Sequence, residues 1–310
     1  MAANLFYMFC SNLLGFLQGK FSLQESLELM SSHEATGKKI KNFTSYILSE
    51  LEKGSQFTTI LIANPYIVIK KQYQLLFYSE EKTGDYKKSL DYVCKSEKEK
   101  NETIEEVIKL SLYPLFIILL CIFGSIAFIF YSKDFPVYVQ QASVFSGIAY
   151  ANIFLVFFLL LFAFSFYMLH KKPIKNIFLI CLDFFLAQSF DFTTALEYAS
   201  YVFDDKKNIR QIVLDSLSGL SLGLELSTVF DKTGLFTKSE IKNLELYICK
   251  GNLRGGIDLV LKELERKAKK NKEIFISLVE PSLIICAGIY FLLIVIHSLL
   301  PYLTFYGGLL

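Results

Sequence analysis

The residues best suited to chemistry in this chain do not gather into a reactive set. The three histidines, His33, His170 and His297, stand far apart, with neither triad nor metal-ligand spacing. Cys10, Cys94, Cys121, Cys181, Cys249 and Cys286 are scattered, with no Cys-x-x-Cys pair. They read as free thiols packed as small apolar residues. Gly251-Asn252-Leu253-Arg254-Gly255-Gly256 has the glycines of a phosphate loop but not its lysine. Glu80-Glu81 could draw a cation, but such pairs are more often solvated surface charge, and that is the expectation here. The residues therefore predict no enzyme, no cofactor and no metal site.

What the sequence does specify is a set of elements. Residues 110–131 and 148–169 are apolar runs without a single charge, and a third, 276–300, carries only Glu280 and His297. At about 1.5 Å per residue, a run of about 22 residues reaches about 33 Å, enough for a bilayer core of about 30 Å. The fold expected is all-α: a polytopic membrane protein with three transmembrane helices. A mean hydropathy of +0.41 with 20% charged residues leaves room for sizeable soluble parts. The charges concentrate in two segments, roughly 17–109 and 170–275, and a net charge of +2 argues against a nucleic-acid surface.

Lys and Arg flanking a span mark the cytosolic side. His170-Lys171-Lys172-Pro173-Ile174-Lys175 follows the second run, and Arg266, Lys267, Lys269, Lys270 and Lys272 precede the third. These place 170–275 in the cytosol, 132–147 outside as a short periplasmic link, 1–109 with the N-terminus in the cytosol, and 301–310 outside as a periplasmic tail. Residues 1–17 are apolar but lack a basic leader, so no cleaved signal peptide is expected. Gly19-Lys20-Phe21-Ser22-Leu23-Gln24-Glu25 resembles a prepilin cleavage site. The unbroken apolar helix that should follow is interrupted by Glu28, Glu34, Lys38 and Lys39.

The two charged segments look like copies of one another. Phe21-Ser22-Leu23 aligns with Phe190-Asp191-Phe192, the stretch from Leu51 through Gly54 to Thr59 with that from Leu220 through Gly223 to Thr228, Gly84-Asp85-Tyr86 with Gly251-Asn252-Leu253, and Pro114 with Pro281. Helical spacing runs through Phe43, Ile47 and Leu51, and through Ile257, Val260, Leu261 and Leu264. Gly54, Gly84, Gly223 and Gly251 are expected at helix ends, and Asn64-Pro65 at another stop. The expectation is two repeated cytosolic helical-bundle domains, each feeding a span. Pro114 and Pro281 are expected in the first turn of their spans, where proline removes no hydrogen bond.

This order resembles the inner-membrane platform family of type II secretion systems and type IV pilus machines (the GspF/PilC family). That family carries a Glu-x-Ser-Gly-x-Leu segment before an apolar helix. Glu81-Lys82-Thr83-Gly84-Asp85-Tyr86 is similar to it, while Cys249-Lys250-Gly251-Asn252-Leu253 keeps the glycine and leucine without the acid. The resemblance implies a non-catalytic platform in the bacterial inner membrane. Its implied partners are a hexameric ATPase, pilin or pseudopilin subunits, other inner-membrane components of the machine, and further copies of itself as a homo-oligomer. A small transporter or channel, or a membrane-anchored adaptor, are the competing classes; the runs offer few polar groups for a pore.

Overall fold

The computed structural model describes residues 5–32, 37–132, 138–170, 173–204, 207–221 and 226–307. Gly223, His33 and part of the expected 132–147 link lie outside them. Among the described residues every regular element is helical. In chain order these are α1 (Leu5–Gln18), α2 (Leu23–Ser32), α3 (Lys38–Glu52), α4 (Phe57–Ala63), α5 (Lys71–Glu80), α6 (Lys87–Ser132) and α7 (Tyr138–His170), followed by α8 (Ile174–Ala187), α9 (Phe192–Ser200), α10 (Lys207–Ser221), α11 (Leu226–Lys232), α12 (Lys238–Cys249) and α13 (Leu253–Gly307), with one 3-10 turn at Tyr201–Phe203.

Helices α1 to α5 run for 14, 10, 15, 7 and 10 residues before the long α6. Helices α8 to α12 run for 14, 9, 15, 7 and 12 before the long α13. The same order and nearly the same lengths thus recur on either side of α7. One compact unit comprises Met1–Glu99 and Lys172–Arg266; a second comprises Lys100–Lys171 and Lys267–Leu310.

Helical stripes form the core of the first unit. Phe6, Phe9, Leu13 and Leu17 on α1, Ile40, Phe43 and Ile47 on α3, and Phe178, Leu182 and Phe185 on α8 are buried and belong to one cluster. Leu27 and Met30 on α2 and Ile257, Val260 and Leu264 on α13 join it at the spacing the sequence predicts. α1, from a stretch notable in sequence only for lacking a leader's charge, is thus a core helix. α4 stops at Ala63 because Asn64, held extended ahead of Pro65, turns its side-chain oxygen to the Tyr66 and Ile67 amides at 3.1 and 2.8 Å.

The second unit contains the apolar stretches of α6, α7 and α13, which among the described residues are the three helices long and apolar enough to cross a membrane. They meet through Ile118 on α6, Ala151 and Leu155 on α7, and Cys286, Ala287 and Tyr290 on α13. The Tyr290 hydroxyl donates to Asn152 Oδ1 at 3.0 Å, a polar contact between two of these helices. Phe116, Phe123, Ile153, Phe157, Phe164, Leu278 and Phe291 face outward, as side chains in contact with lipid would.

Two expectations need correction. α7 begins at Tyr138, inside the stretch read as a link. Pro114 and Pro281 are not in first turns: α6 starts at Lys87 and α13 at Leu253, so both prolines are interior. Each removes an intrahelical hydrogen bond, to the carbonyls of Leu110 and Ser277 respectively. The start of an apolar run is a solvent boundary, and the helices begin well before it.

Candidate functional site

The segment Glu81-Lys82-Thr83-Gly84-Asp85-Tyr86 forms the corner between α5 and α6. The Thr83 and Gly84 amides bond back to the Glu80 carbonyl at 3.1 and 2.9 Å. Gly84 then turns the chain at φ +67°, a left-handed conformation in which a Cβ is strained. The two carboxylates at this corner serve different helices. Glu81 accepts from the Thr58 amide at 3.0 Å and from the Thr58 hydroxyl. Thr58 is the second residue of α4, whose own N-cap, Gln56, supplies no side-chain bond. Glu80 accepts from the Ser89 amide at 3.1 Å, in the first turn of α6. Adjacent acids thus occupy the positive ends of two helices.

Glu80 is fully buried. Burial pushes its carboxyl up to about 7, against the pull of the Ser89 hydrogen bonding and the Lys88 charge; Asp85 adds to the rise. Among the described residues Glu80 Oε1 and the Ser89 hydroxyl have no hydrogen-bond partner. The expectation of a solvated acidic pair is therefore wrong: these carboxylates are structural caps. Beside them, Tyr86 packs on Phe57 at 4.8 Å and Phe77 at 6.1 Å between ring centroids. Farther along α6, buried Glu97 accepts from the Tyr73 hydroxyl at 2.7 Å and pairs with Lys70.

The corner between α12 and α13 turns on Gly251, at φ +69°. Its amide bonds to the Ile248 carbonyl at 2.8 Å, and Asn252 accepts from the Gly255 amide at 3.0 Å, capping α13. Counting back from the glycine, Tyr247 and Ile248 stand where Glu80 and Glu81 stand. Gly256 stands opposite Ser89, and a Cβ there would lie 2.9 Å from Tyr247 Cβ. Backbone proximity replaces the carboxylate cap. The acid of this half is Glu240, three residues into α12. It forms a capping box with Thr237 and pairs with Lys175 of α8 at 2.9 Å. Burial pushes its carboxyl up, but the Thr237 and Lys175 contacts outweigh that and hold it below the usual carboxylate range.

The two stretches that build the first unit meet through aromatic rings, an arrangement without a local sequence pattern. Tyr78 lies 5.2 Å from Tyr198 and 6.4 Å from Phe185, and Tyr92 lies 5.8 Å from Phe184. Lys82 sits 4.3 Å over the Phe190 ring, and Lys71 pairs with Asp204. A largely apolar groove of about 300 Å³ opens beside Tyr78, Tyr198 and Tyr201.

The residues singled out in the sequence stay at separate junctions. Glu81 and Gly84 share the α5–α6 corner, Gly54 ends α3 at φ +83°, Gly251 and Leu253 begin α13, and Pro114 and Pro281 lie within α6 and α13. Among the described residues no group of three His, Cys, Asp or Glu side chains is placed to hold a metal. The arrangement positions helices. No curated protein matches the chain. A family model does: residues 9–132 match that of "Type II secretion system (T2SS), protein F". That stretch holds the Glu81–Gly84 corner and all of α6, so this part of the chain is similar to type II secretion system protein F, the family its sequence resembles.

Proposed function

We propose that the chain is an inner-membrane assembly platform of a type IV pilus or related type II secretion machine. It acts through binding and motion, without catalysis. In this reading the two recurring helix sets are repeated cytosolic bundles that receive the push of a hexameric ATPase. α6 and α13 carry that motion into the bilayer, where the spans hand pilin or pseudopilin helices to the growing fibre. The N-terminus is cytosolic and the C-terminus periplasmic, and the working form is an oligomer beside other inner-membrane components. Gly54, Glu81, Gly84, Gly251 and Leu253 set the helix corners, and Pro114 and Pro281 mark matching points along α6 and α13.

The observation that supports this most directly is continuity. α6 runs without a break from Lys87 to Ser132, and α13 from Leu253 to Gly307. Each joins a charged stretch to an apolar one, and each stays helical through its proline, where one backbone hydrogen bond is lost, so displacement can be carried along its axis. A Gly-Gly-Ser hinge inserted at Asn101 or Asn271 is expected to abolish fibre assembly while membrane insertion and co-purification of the ATPase persist. Normal fibres with both insertions would overturn the coupling. Failure to recover an ATPase or pilin-like subunits with the unaltered protein would overturn the platform reading itself.

A further inference from the structure

α6 and α13 differ in the charge they carry toward their apolar runs. Along α6 the approach is acid-rich: Glu97, Glu99, Glu102, Glu105 and Glu106 outnumber Lys98, Lys100 and Lys109. Along α13, Arg266, Lys267, Lys269, Lys270 and Lys272 dominate. Arg266, Lys269 and Lys270 follow i, i+3, i+4 spacing and share one helix face. Leu264 and Val279, which pack inward, lie on the opposite side. Arg266, Lys267, Lys269 and Lys270 are exposed. Among the described residues none of the five basic side chains has a carboxylate in ion-pair range, although Lys262, one turn earlier, pairs with Asp258 at 2.6 Å.

Distance along the helix suggests what this face meets. At about 1.5 Å per residue, Lys272 lies about 6 Å and Arg266 about 15 Å before the apolar run at Ile276. The first is at headgroup depth. The second is within about one Debye length of the headgroups at physiological salt. Long flexible lysine and arginine side chains shorten the gap further.

We propose that this basic face of α13 binds anionic phospholipid headgroups, and that the acid-rich approach of α6 does not. The inference rests on α13 spanning a bilayer but not on any role in fibre assembly. Charge complementarity and depth together name the occupant. Headgroup phosphates lie where the unpaired cations are, and each cation near an anionic surface strengthens binding.

Native mass spectrometry of the full chain in detergent, titrated with phosphatidylglycerol or phosphatidylcholine, tests this directly. The unaltered protein should retain phosphatidylglycerol at least about tenfold more tightly, a preference that salt weakens. The Arg266→Gln/Lys269→Gln/Lys270→Gln variant should lose it, while Lys38→Gln/Lys39→Gln/Lys41→Gln, on α3, should keep it. Because the three altered side chains are exposed, unchanged helical circular dichroism will show that the fold persists. A triple variant with undiminished preference would overturn the proposal. So would an unaltered protein with no preference for phosphatidylglycerol whose dimer is lost in the variant, because the basic face would then serve a second copy. Neither outcome bears on ATPase or pilin capture.

Discussion

The corners before α6 and α13 solve the same problem with different chemistry. Both end a helix, turn on a left-handed glycine and start a long helix whose first amides need acceptors. At Gly84 one carboxylate, Glu80, accepts from the Ser89 amide of α6, while its neighbour Glu81 accepts from Thr58 of α4. At Gly251 a side-chain amide, Asn252, caps locally, and the helices close on Gly256. The first solution ties α4, α5 and α6 into one polar node, with a buried titratable group as its consequence. Among the described residues no carboxylate caps a helix amide at the second corner, which depends on shape. The glycine is common to both corners, while the means of fastening differs. Recurrence of helix order therefore does not require recurrence of the polar contacts that hold it.

The largest expected difference is in response to pH. Glu80 is held at about 7, above its ordinary 4.5. The folded protein therefore binds that proton more tightly than the unfolded chain, so its contribution favours folding least when the carboxyl is charged. Stability from this group is full below about pH 4.5, falls as pH rises to about 7, and stays low above that. The shift is worth at most about 3 kcal/mol; water and local relaxation should leave about 2 kcal/mol. Glu80→Gln should thus raise the thermal midpoint at pH 8 and have little effect at pH 5, because the neutral amide can still accept from Ser89 and also satisfy its hydroxyl. Tyr247→Phe, at the matching place in the other corner, should show no such pH dependence. An equal gain for Glu80→Gln at both pH values would exclude the buried, proton-linked cap.

Next in size is the loss of Glu81. Glu81→Ala leaves the amide and hydroxyl of buried Thr58 without their acceptor, and should destabilise the protein by about 2 kcal/mol. Ile248→Ala, its counterpart, removes only half-buried apolar surface, and about 1 kcal/mol is expected. Chemical denaturation in detergent would rank them. The polar node at the first corner would be in doubt if Glu81→Ala proved the milder.

Much of this was legible in the sequence, and the remainder was hidden for specific reasons. The apolar runs, the faces of α3 and α13, and the turns at Gly84 and Gly251 are local patterns, and composition and spacing report them. The capping role of Glu80 and Glu81 is not local. It exists because Thr58, far upstream, arrives beside Glu81, while Ser89 arrives beside Glu80 from the helix that follows. Two adjacent glutamates in isolation look like surface charge. α1 was readable but unread: Phe6, Phe9 and Leu13 have the spacing of a core helix, which a search only for a leader's charge passes over. Pro114 and Pro281 were misplaced because hydropathy locates the edge of an apolar run and says little about where a helix begins.

The smallest expected effect isolates shape from charge. Gly256→Ala places a Cβ 2.9 Å from Tyr247 Cβ and 3.5 Å from Leu244 Cδ2. Overpacking of this kind typically destabilises by 1–3 kcal/mol, whereas replacing glycine by alanine within a helix contributes about 1 kcal/mol in the other direction. The net should be a loss of about 1 kcal/mol. Ser89→Ala at the matching position should be neutral or slightly stabilising, because it removes a buried hydroxyl that has no partner among the described residues. The opposite signs follow from what lies opposite each site: a fixed Tyr247 Cβ in one corner and a carboxylate that needs only the backbone amide in the other. Thermal midpoints of the two single variants and their combination would separate these terms. The sites belong to different corners, so the double variant should equal the sum of the singles. A gain in stability for Gly256→Ala would mean that α12 and α13 are not in close contact there, and that the second corner is held by Asn252 alone.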